Sequence, residues 1–503
     1  MEKRPECFQT GVQEVATVFL VCAAQFLCQG GITMCMSTMK VLIDSFAEQS
    51  GNIEESEKVW FMGSFALTVG TFILISGRLG DLFGLKKIFL IGWAWITVWS
   101  IVIGLSYYSK SIIFFIICRA FQGIGFALLL PCGLGILGSV YANGQRKNIA
   151  FSCLGAAGPS GAAVGAIMAA VFAQFVWWPW QFWVQGIATF VFGVASYYAI
   201  PPDPQKSFRS FSSSHWVKRL DVLGSGLGIA SLILFNFVWN HGPVAGWISP
   251  YVLVLLILSV LGAFAFFYVE LKVAEYPLLP RSLFNRKIGL VLLCVSLGWG
   301  SFGIWQYYYW NTVLILRGYS PIEAGLTYIP FLVLGVIASL SISVIITRVR
   351  PSIIIAFSMI AFMCGSIMLS IMPVKQSYFQ IAMGQMFILT WGMDWSFPAS
   401  SLILSDFLPV YHQGMAGSLV NTVVNYSVSL FLGIATTIET QVKSQGSTVL
   451  QSYRAALHFA IGTAGLGVVF ALVFVIIQHL DNDKSGTFAS ASDTPTIESK
   501  RSL

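Results

Sequence analysis

The feature that most constrains this chain is a series of apolar segments, each long enough to cross a lipid bilayer. A hydrocarbon core of ~30 Å requires about 20 consecutive apolar residues in a helix. About fourteen such segments can be placed along the chain. We expect them at 15–37, 59–76, 88–107, 112–139, 149–175, 181–200, 221–239, 248–269, 287–310, 323–345, 352–372, 378–404, 413–438 and 455–480. The sequence therefore predicts an all-α integral membrane protein.

Composition excludes a soluble protein of this length. Charged residues make up 10% of the 503 residues and hydrophobic residues 56%, whereas soluble domains carry about 25% charged residues. The nine cysteines form no CxxC pair and most lie in apolar segments, so we expect no disulfide, no metal and no other cofactor. The first apolar segment is too long for the core of a signal peptide, so no cleaved leader is expected.

The orientation in the membrane follows from lysine and arginine. Of the 28 such residues, twenty fall in segments on one side of the predicted helices and seven on the other, and Arg119 lies within a helix. Because cytoplasmic loops are enriched in lysine and arginine, both termini are predicted to be cytoplasmic. Residues 1–14 would be a cytoplasmic N-terminal segment, and residues 481–503 a disordered cytoplasmic tail.

A first motif lies between the second and third predicted helices. It contains Gly77, Leu79, Asp81, Gly84, Lys86 and Lys87, and we call it the 77–87 motif. Its glycines predict a tight cytoplasmic turn, and Asp81 could pair with a cation or a helix end in one conformation and leave it in another. The alternative is an ordinary positively charged loop.

Two further motifs lie inside predicted helices. The Arg119 motif comprises Arg119, Gln122, Gly123 and Gly125, and the Pro159 motif comprises Gly155, Gly158, Pro159 and Gly161. A guanidinium in hydrocarbon requires a polar cavity or a partner, unless it extends to a helix end. Pro159 bends its helix by removing a backbone donor, and the glycines allow a neighbouring backbone to approach closely.

These three motifs, in this order, resemble the signatures of the major facilitator superfamily. The 77–87 motif is similar to the family's G-x-L-x-D-x-x-G-x-K pattern, and the other two resemble its fourth-helix motif and its antiporter motif, with Ala162 in place of a common glycine. Fourteen helices resemble the drug:H⁺ antiporter branch, and the run from Trp299 to Trp310 resembles fungal transporters of the aminotriazole-resistance type. The resemblance implies two six-helix bundles, 15–200 and 287–480, joined by a loop and two linking helices at 201–286.

The chain departs from that branch in its acidic residues. Many members carry an aspartate in the first helix, whereas 15–37 offers only uncharged polar residues. Asp394 is the only carboxylate that we place deep within a predicted helix, and Pro398 follows one turn later. An acid at such a place predicts a role in proton or cation coupling, together with Arg119 and Asp81. The alternative is a structural polar contact.

A substrate cavity is predicted from polar and aromatic residues at helical spacing. The predicted lining residues are Gln25, Gln29, Trp305, Tyr309, Trp310, Trp391, Asn421 and Asn425. The aromatic rings could stack on a flat or cationic solute. Each aromatic residue could instead face lipid or lie in an interfacial belt.

The function predicted from these features is secondary transport by alternating access. The first expectation is export of small organic or toxic compounds by proton antiport. The second is transport of a small inorganic or nutrient solute, such as borate or ammonium, and the third is a receptor on the same fold. No catalytic residue set or nucleotide-binding loop predicts an enzyme. The expected partners are a small-molecule or ion substrate, protons and lipid, without nucleic acid, for a monomer in the plasma membrane or, alternatively, the vacuolar membrane.

Overall fold

The structure, a computed structural model, describes residues 4–51, 55–141, 144–202, 218–279, 283, 285–406 and 413–492. Most of these residues are helical, and no strand occurs in the ranges given. The helices are α1 (Gly11–Ser37), α2 (Met39–Ser50), α3 (Glu55–Phe83), α4 (Leu85–Leu105), α5 (Ile112–Val140), α6 (Gln145–Phe175), α7 (Pro179–Ala199), α8 (Val222–Ala245), α9 (Pro250–Tyr268), α10 (Arg286–Asn311), α11 (Pro321–Leu326), α12 (Ile329–Ile345), α13 (Pro351–Ile371), α14 (Met383–Asp406), α15 (Gln413–Ser444) and α16 (Val449–Ser492). The prediction of an all-α membrane protein is confirmed. Residues 481–492 of the predicted disordered tail are instead the end of α16, and residues 493–503 of that tail lie outside the described residues.

The number of membrane-crossing helices agrees with the sequence. In the described ranges, thirteen helical stretches are long and apolar enough to cross a membrane. The remaining predicted segment, 378–404, corresponds to a π-helical turn at Tyr378–Ala382 and to α14. This helix is less apolar than the thirteen because it carries Asp394 and several other polar residues. Its 24 residues nevertheless reach ~36 Å, enough to cross.

Among the helix boundaries that differ from the sequence prediction, two change the position of predicted or charged residues. α1 begins at Gly11 rather than at residue 15, so Glu14 lies inside the first helix. α3 continues to Phe83, so the first part of the 77–87 motif is helical rather than a loop. Only Gly84 separates α3 from α4, with a φ of 103° that glycine adopts without strain. Both errors arise because helices extend beyond the hydrocarbon core, where polar residues are tolerated.

The membrane helices form two groups joined by α8 and α9. In the first group α1 packs on α6, α3 and α4 on α5, and α4 on α7. In the second group α10, α13 and α14 pack on one another, α10 and α14 pack on α15, α10 and α13 pack on α16, and α12 packs on α14. The linking helices pack on each other, and α8 also contacts α3 and α15.

The two groups meet along two seams, α3 with α15 and α6 with α12. In the α3–α15 seam, the Ser429 hydroxyl donates to the Gly63 carbonyl at 3.0 Å. A Cβ on Gly70 would lie 2.6 Å from the Tyr426 nitrogen, and one on Gly77 would lie 3.4 Å from the Ser418 hydroxyl. Because glycine occupies these positions, α3 approaches α15 closely along much of its length.

The packing of α1 on α6 depends on glycines that face each other. A Cβ on Gly161 would collide with the carbonyl oxygen of Phe26, and one on Gly165 would lie 2.5 Å from the Cα of Gly30. The Thr33 hydroxyl donates to the Ala162 carbonyl at 2.7 Å. In lipid, the hydrophobic effect does not drive helices together, so their association depends on close backbone packing of this kind.

Because no space exists for a side chain at position 161, Gly161→Ala is expected to destabilise the protein. Overpacking costs ~1–3 kcal/mol, so the variant should unfold at a lower temperature in detergent. Gly138→Ala is the control, since a Cβ there meets nothing within 4 Å. Equal unfolding temperatures for the two variants would contradict the described contact.

Candidate functional site

The residues of the Pro159 motif meet α12 and α14 at the α6–α12 seam. A Cβ on Gly335 would collide with the Pro159 ring and would lie 3.4 Å from Oδ2 of Asp394. One turn away, a Cβ on Gly155 would lie 3.5 Å from the Cβ of Ser339. The structure thus brings two predicted features, the proline of α6 and the acid of α14, to one place.

The carboxyl group of Asp394 is incompletely satisfied by the protein. The side chain is half-buried. Its Oδ2 is shielded from solvent and has no hydrogen-bond partner, while the Ser339 hydroxyl interacts with the carboxyl group. A shielded carboxylate oxygen without a donor is costly, so this group is suited to bind a proton or a cationic partner.

Polar residues of α1 face the same seam. A Cβ on Gly158 would lie 3.6 Å from Nε2 of Gln25 and 3.9 Å from Cγ of Gln29. Both glutamines are half-buried. Gln25, Gln29, Gly158, Pro159 and Asp394 therefore form a continuous set, in which α1 supplies two polar side chains, α6 supplies the buried Gly158 and Pro159, and α14 supplies the acid. We call this set the Pro159 seam site.

Arg119 lies in a separate buried network inside the first group. It is fully buried, donates to the Gly31 carbonyl at 2.7 Å, and also donates to Gln122. Its guanidinium lies 4.5 Å from the centre of the Phe65 ring. Within the described part of the chain, no carboxylate contacts it. Its charge is therefore balanced by a carbonyl, an amide and an aromatic face.

Gln122 extends this network to two residues that the sequence reading did not single out. Its amide donates to the Ser100 hydroxyl at 2.8 Å and to the Gln185 carbonyl oxygen at 3.0 Å. The other two residues of the Arg119 motif serve packing. A Cβ on Gly123 would collide with Thr68, and one on Gly125 with Ile96. The motif thus combines one polar face with close contacts to α3 and α4.

The cations of the 77–87 motif bind backbone carbonyls at helix ends. Lys86 donates to the carbonyls of Tyr197 and Ile200 at 2.7 and 2.5 Å, at the end of α7. Arg78 donates to the carbonyls of Arg219 and Tyr276 at 3.1 and 2.9 Å, on either side of the linking helices. Asp81 of the same motif is exposed and interacts electrostatically with Arg78. Leu79 packs on the core, and Lys87 is exposed.

The aromatic residues of α10 do not line an open cavity in this structure, contrary to the expectation from their spacing. Trp305, Tyr309 and Trp310 are fully buried. Trp305 donates to Gln385 at 2.8 Å, and Trp310 stacks on Tyr328 at 4.5 Å between ring centres. Because these rings are packed among protein side chains, a solute cannot reach them in this conformation.

The remaining predicted cavity residues lie elsewhere in the second group. Trp391 packs edge-on against Trp395 at 5.1 Å. The Asn425 amide donates to the Asn421 carbonyl at 3.0 Å, and the Asn425 backbone lies 3.1 Å from the Cβ position of Gly70. The two asparagines therefore belong to the α3–α15 seam rather than to the Pro159 seam site.

Sequence reasoning missed a buried carboxylate near the end of a helix. Glu439 lies in α15, which continues to Ser444, and is 7% exposed. It accepts a hydrogen bond from the fully buried Tyr308 at 2.7 Å. The predicted helix ends at residue 438, so Glu439 falls just outside it.

A second missed carboxylate lies in α1. Glu14 is 9% exposed and accepts hydrogen bonds from Arg146 at 2.9 Å and from Tyr141 at 3.0 Å. Burial, followed by the contact with Glu14, raises the pKa of the Tyr141 hydroxyl. The first helix does contain an acid, but it lies in the first turn and is paired with a cation, unlike an acid at mid-membrane.

The two helical groups meet along paired seams, and polar residues lie at those seams. This arrangement is that of a multi-pass membrane transporter. The chain belongs to the Major Facilitator Superfamily, whose sequence profile matches residues 21–434. The resemblance inferred from the three motifs is therefore confirmed.

Two relatives from Saccharomyces cerevisiae show which members the chain is similar to. It is 45% identical to the aminotriazole resistance protein over 94% of this chain and 86% of that protein. It is 43% identical to a low affinity ammonium transporter over 94% of this chain and 90% of that protein. The likeness to the aminotriazole-resistance type is confirmed.

A solved structure supports the fold. The crystal structure of a POT family transporter in complex with 5-aminolevulinic acid superposes with a TM-score of 0.63 at 15% identity, covering 94% of this chain and 98% of that chain. At this identity the likeness concerns the fold.

Removing the Gln122 side chain should destabilise the protein, because Arg119, Ser100 and Gln185 would each lose a buried partner. Gln122→Ala is expected to lower the free energy of unfolding by ~1–3 kcal/mol or more, measured by thermal unfolding in detergent. Ile117→Ala on the same helix is the control, since Ile117 is exposed on the lipid-facing surface. A Gln122 variant as stable as the control would show that the network contributes nothing.

Proposed function

We propose that this transporter exports small organic or toxic compounds in exchange for protons, by alternating access. The observation that carries the proposal is the position of Asp394, whose partly unsatisfied carboxyl group lies at the seam between the two helical groups, beside Pro159. The similarity to a protein of aminotriazole resistance supports a toxic organic substrate.

The coupling would follow from the environment of Asp394 in two conformations. In the closed seam, a proton on Asp394 removes a charge from a place that the Pro159 ring and Gly335 make apolar. When the seam opens, the carboxyl group gains water and the proton can leave, so that a cationic or polar solute can take its place. Opening of α6 from α12 is thus tied to proton release.

The moving halves would be the bundle of residues 15–200 and the bundle of residues 287–480, with the linking helices between them. The 77–87 motif would hold one conformation through its contacts with helix ends. We further propose a monomer with both termini in the cytoplasm, in the plasma membrane or alternatively the vacuolar membrane. The asymmetry of lysine and arginine supports this orientation.

A second candidate is transport of ammonium or another small solute such as borate, without proton exchange. The similarity to a low affinity ammonium transporter favours it. So does α1, whose acid Glu14 is paired with Arg146 rather than placed at mid-membrane. On this account Asp394 would be a binding group for a small cation, or a structural group only.

The two candidates differ in their response to Asp394→Asn. In proteoliposomes with an imposed pH gradient, antiport predicts that the wild type accumulates aminotriazole against the aminotriazole gradient. The Asp394→Asn variant should accumulate at least about tenfold less. Downhill exchange of labelled aminotriazole should remain in the variant. Asp44→Asn, in the exposed part of α2, should behave as the wild type.

Two outcomes would decide against antiport. One is aminotriazole transport that is independent of the pH gradient and of the Asp394 variant. The other is uptake of labelled methylammonium, an ammonium analogue, by the wild type without any transport of aminotriazole, which would favour the second candidate.

A further inference from the structure

A pair of asparagines on the linking helix α8 lies against the α3–α15 seam, within the membrane-spanning part of that helix. Asn236 and Asn240 are one turn apart, and both are buried. The Asn240 amide nitrogen donates to the Asn236 side-chain oxygen at 3.0 Å and to the Asn236 carbonyl at 2.9 Å. Buried amides in a membrane helix are costly unless they are hydrogen-bonded, and they often bond across helices. This face of α8 therefore requires a polar partner.

The partner is Ser429 of α15, which lies between two acceptors. Its hydroxyl oxygen is 3.1 Å from Oδ1 of Asn236 on α8 and 3.0 Å from the Gly63 carbonyl oxygen on α3. A hydroxyl carries a single hydrogen, so it donates fully to one acceptor at a time. Ser429 can therefore keep a hydrogen bond to a neighbouring helix when either of the two acceptors moves away.

Two further contacts join α8 to α15. The Tyr426 hydroxyl donates to the Leu232 carbonyl at 3.0 Å. A Cβ on Gly433 would lie 2.7 Å from Cγ of Asn240, so the amide occupies the space next to this glycine. From Leu232 to Asn240, the contacts with α15 extend over about two turns of α8. They combine directional hydrogen bonds with a close steric fit.

The contact of α8 with α3 differs along the length of the helix. Beside the asparagines, the Trp60 ring of α3 packs on the Phe237 ring, with 5.9 Å between the ring centres. Apolar contact of this kind is not directional, so the two rings can slide on each other. Just before α8 begins, Arg78 of α3 donates to the Arg219 carbonyl at 3.1 Å. The start of α8 is thus bonded to the first helical group, whereas Leu232–Asn240 is bonded to the second.

We propose that the Leu232–Asn240 part of α8 moves with the second group, and that Asn236 receives the Ser429 hydroxyl when α3 separates from α15. A shielded donor is costly to leave unpaired, so this exchange of acceptors lowers the cost of opening the seam. The start of α8, held by Arg78, stays with α3, and α8 acts as the hinge between the groups. The inference rests on the separation of the groups proposed above, but not on proton exchange or on Asp394.

Distances between spin labels in the full-length protein, reconstituted in lipid nanodiscs, test this movement. The labels are attached in pairs to Lys58→Cys on α3, Ala245→Cys on α8 and Gln441→Cys on α15, with the nine native cysteines replaced. Distances 58–245 and 58–441 should each show a second peak, longer by about 5 Å or more. The share of that peak should change with pH or on addition of aminotriazole or methylammonium. Distance 245–441 should keep one peak.

Three other patterns of peaks would overturn the proposal. Two peaks for 245–441 with one peak for 58–245 would show that α8 moves with α3. Two peaks for every pair would show that α8 moves independently of both groups. One peak for every pair would show that this end of the seam does not open. These distances are measured without a proton or solute gradient, so a failure of antiport in proteoliposomes is a separate result.

The role of Asn236 is tested in the same labelled protein. Asn236→Leu keeps the size of the side chain but removes the acceptor of the Ser429 hydroxyl, so the 245–441 peak should broaden. Ser231→Ala is the matched control, because the Ser231 hydroxyl donates to the Leu227 carbonyl of α8 itself at 2.6 Å. An unchanged 245–441 peak in Asn236→Leu would contradict the assignment.

If the protein without native cysteines does not fold, thermal unfolding in detergent takes the place of the distances. The native-cysteine protein is compared with Ser429→Ala, Asn236→Leu and the double variant. Because the double variant loses the Ser429–Asn236 bond only once, its unfolding temperature should fall by less than the sum of the two single shifts. Additive shifts would show that the two residues do not interact, and would overturn the proposal.

Discussion

The rest of the structure depends on the close approach of helix backbones at positions where a side chain cannot fit. α1 and α6 touch through Gly30, Gly161 and Gly165, and α6 touches α12 where Gly335 leaves space for Pro159. In lipid, apolar contact alone does not favour one helix pairing over another, so such complementary surfaces decide which helices meet. The contact of α6 with α12 also joins the two helical groups.

The polar residues are arranged around this constraint in two ways. Arg119 is enclosed by the Gly31 carbonyl, Gln122 and the Phe65 ring, which makes it a fixed part of one group. Asp394, by contrast, lies at the seam and keeps an unsatisfied oxygen. The contacts of a charge inside one helical group stay the same when the seam changes, whereas a group at the seam can gain or lose contacts. This difference is the physical reason for assigning proton exchange to Asp394 rather than to Arg119.

The sequence predicted the helices well because the thickness of the bilayer fixes their length, and it predicted close backbone packing at the Pro159 motif because glycine leaves room for a neighbouring helix. It made two helices too short, because α1 begins before Glu14 and α15 continues past Glu439 with polar residues. It also could not tell that Trp305 and Trp310 are buried in protein. A membrane helix is apolar on all sides, so its periodicity does not distinguish a lipid-facing surface from a packed one or a cavity wall.

If transport requires α6 to separate from α12, a reversible cross-link between these helices should stop it. A Cβ on Gly155 would lie 3.5 Å from the Cβ of Ser339, within the range of a disulfide. We expect Gly155→Cys with Ser339→Cys to form a cross-link on oxidation, transport in proteoliposomes then to stop, and reduction to restore it. Each single variant should transport under both conditions. Undiminished transport by the fully cross-linked protein would show that α6 and α12 need not separate.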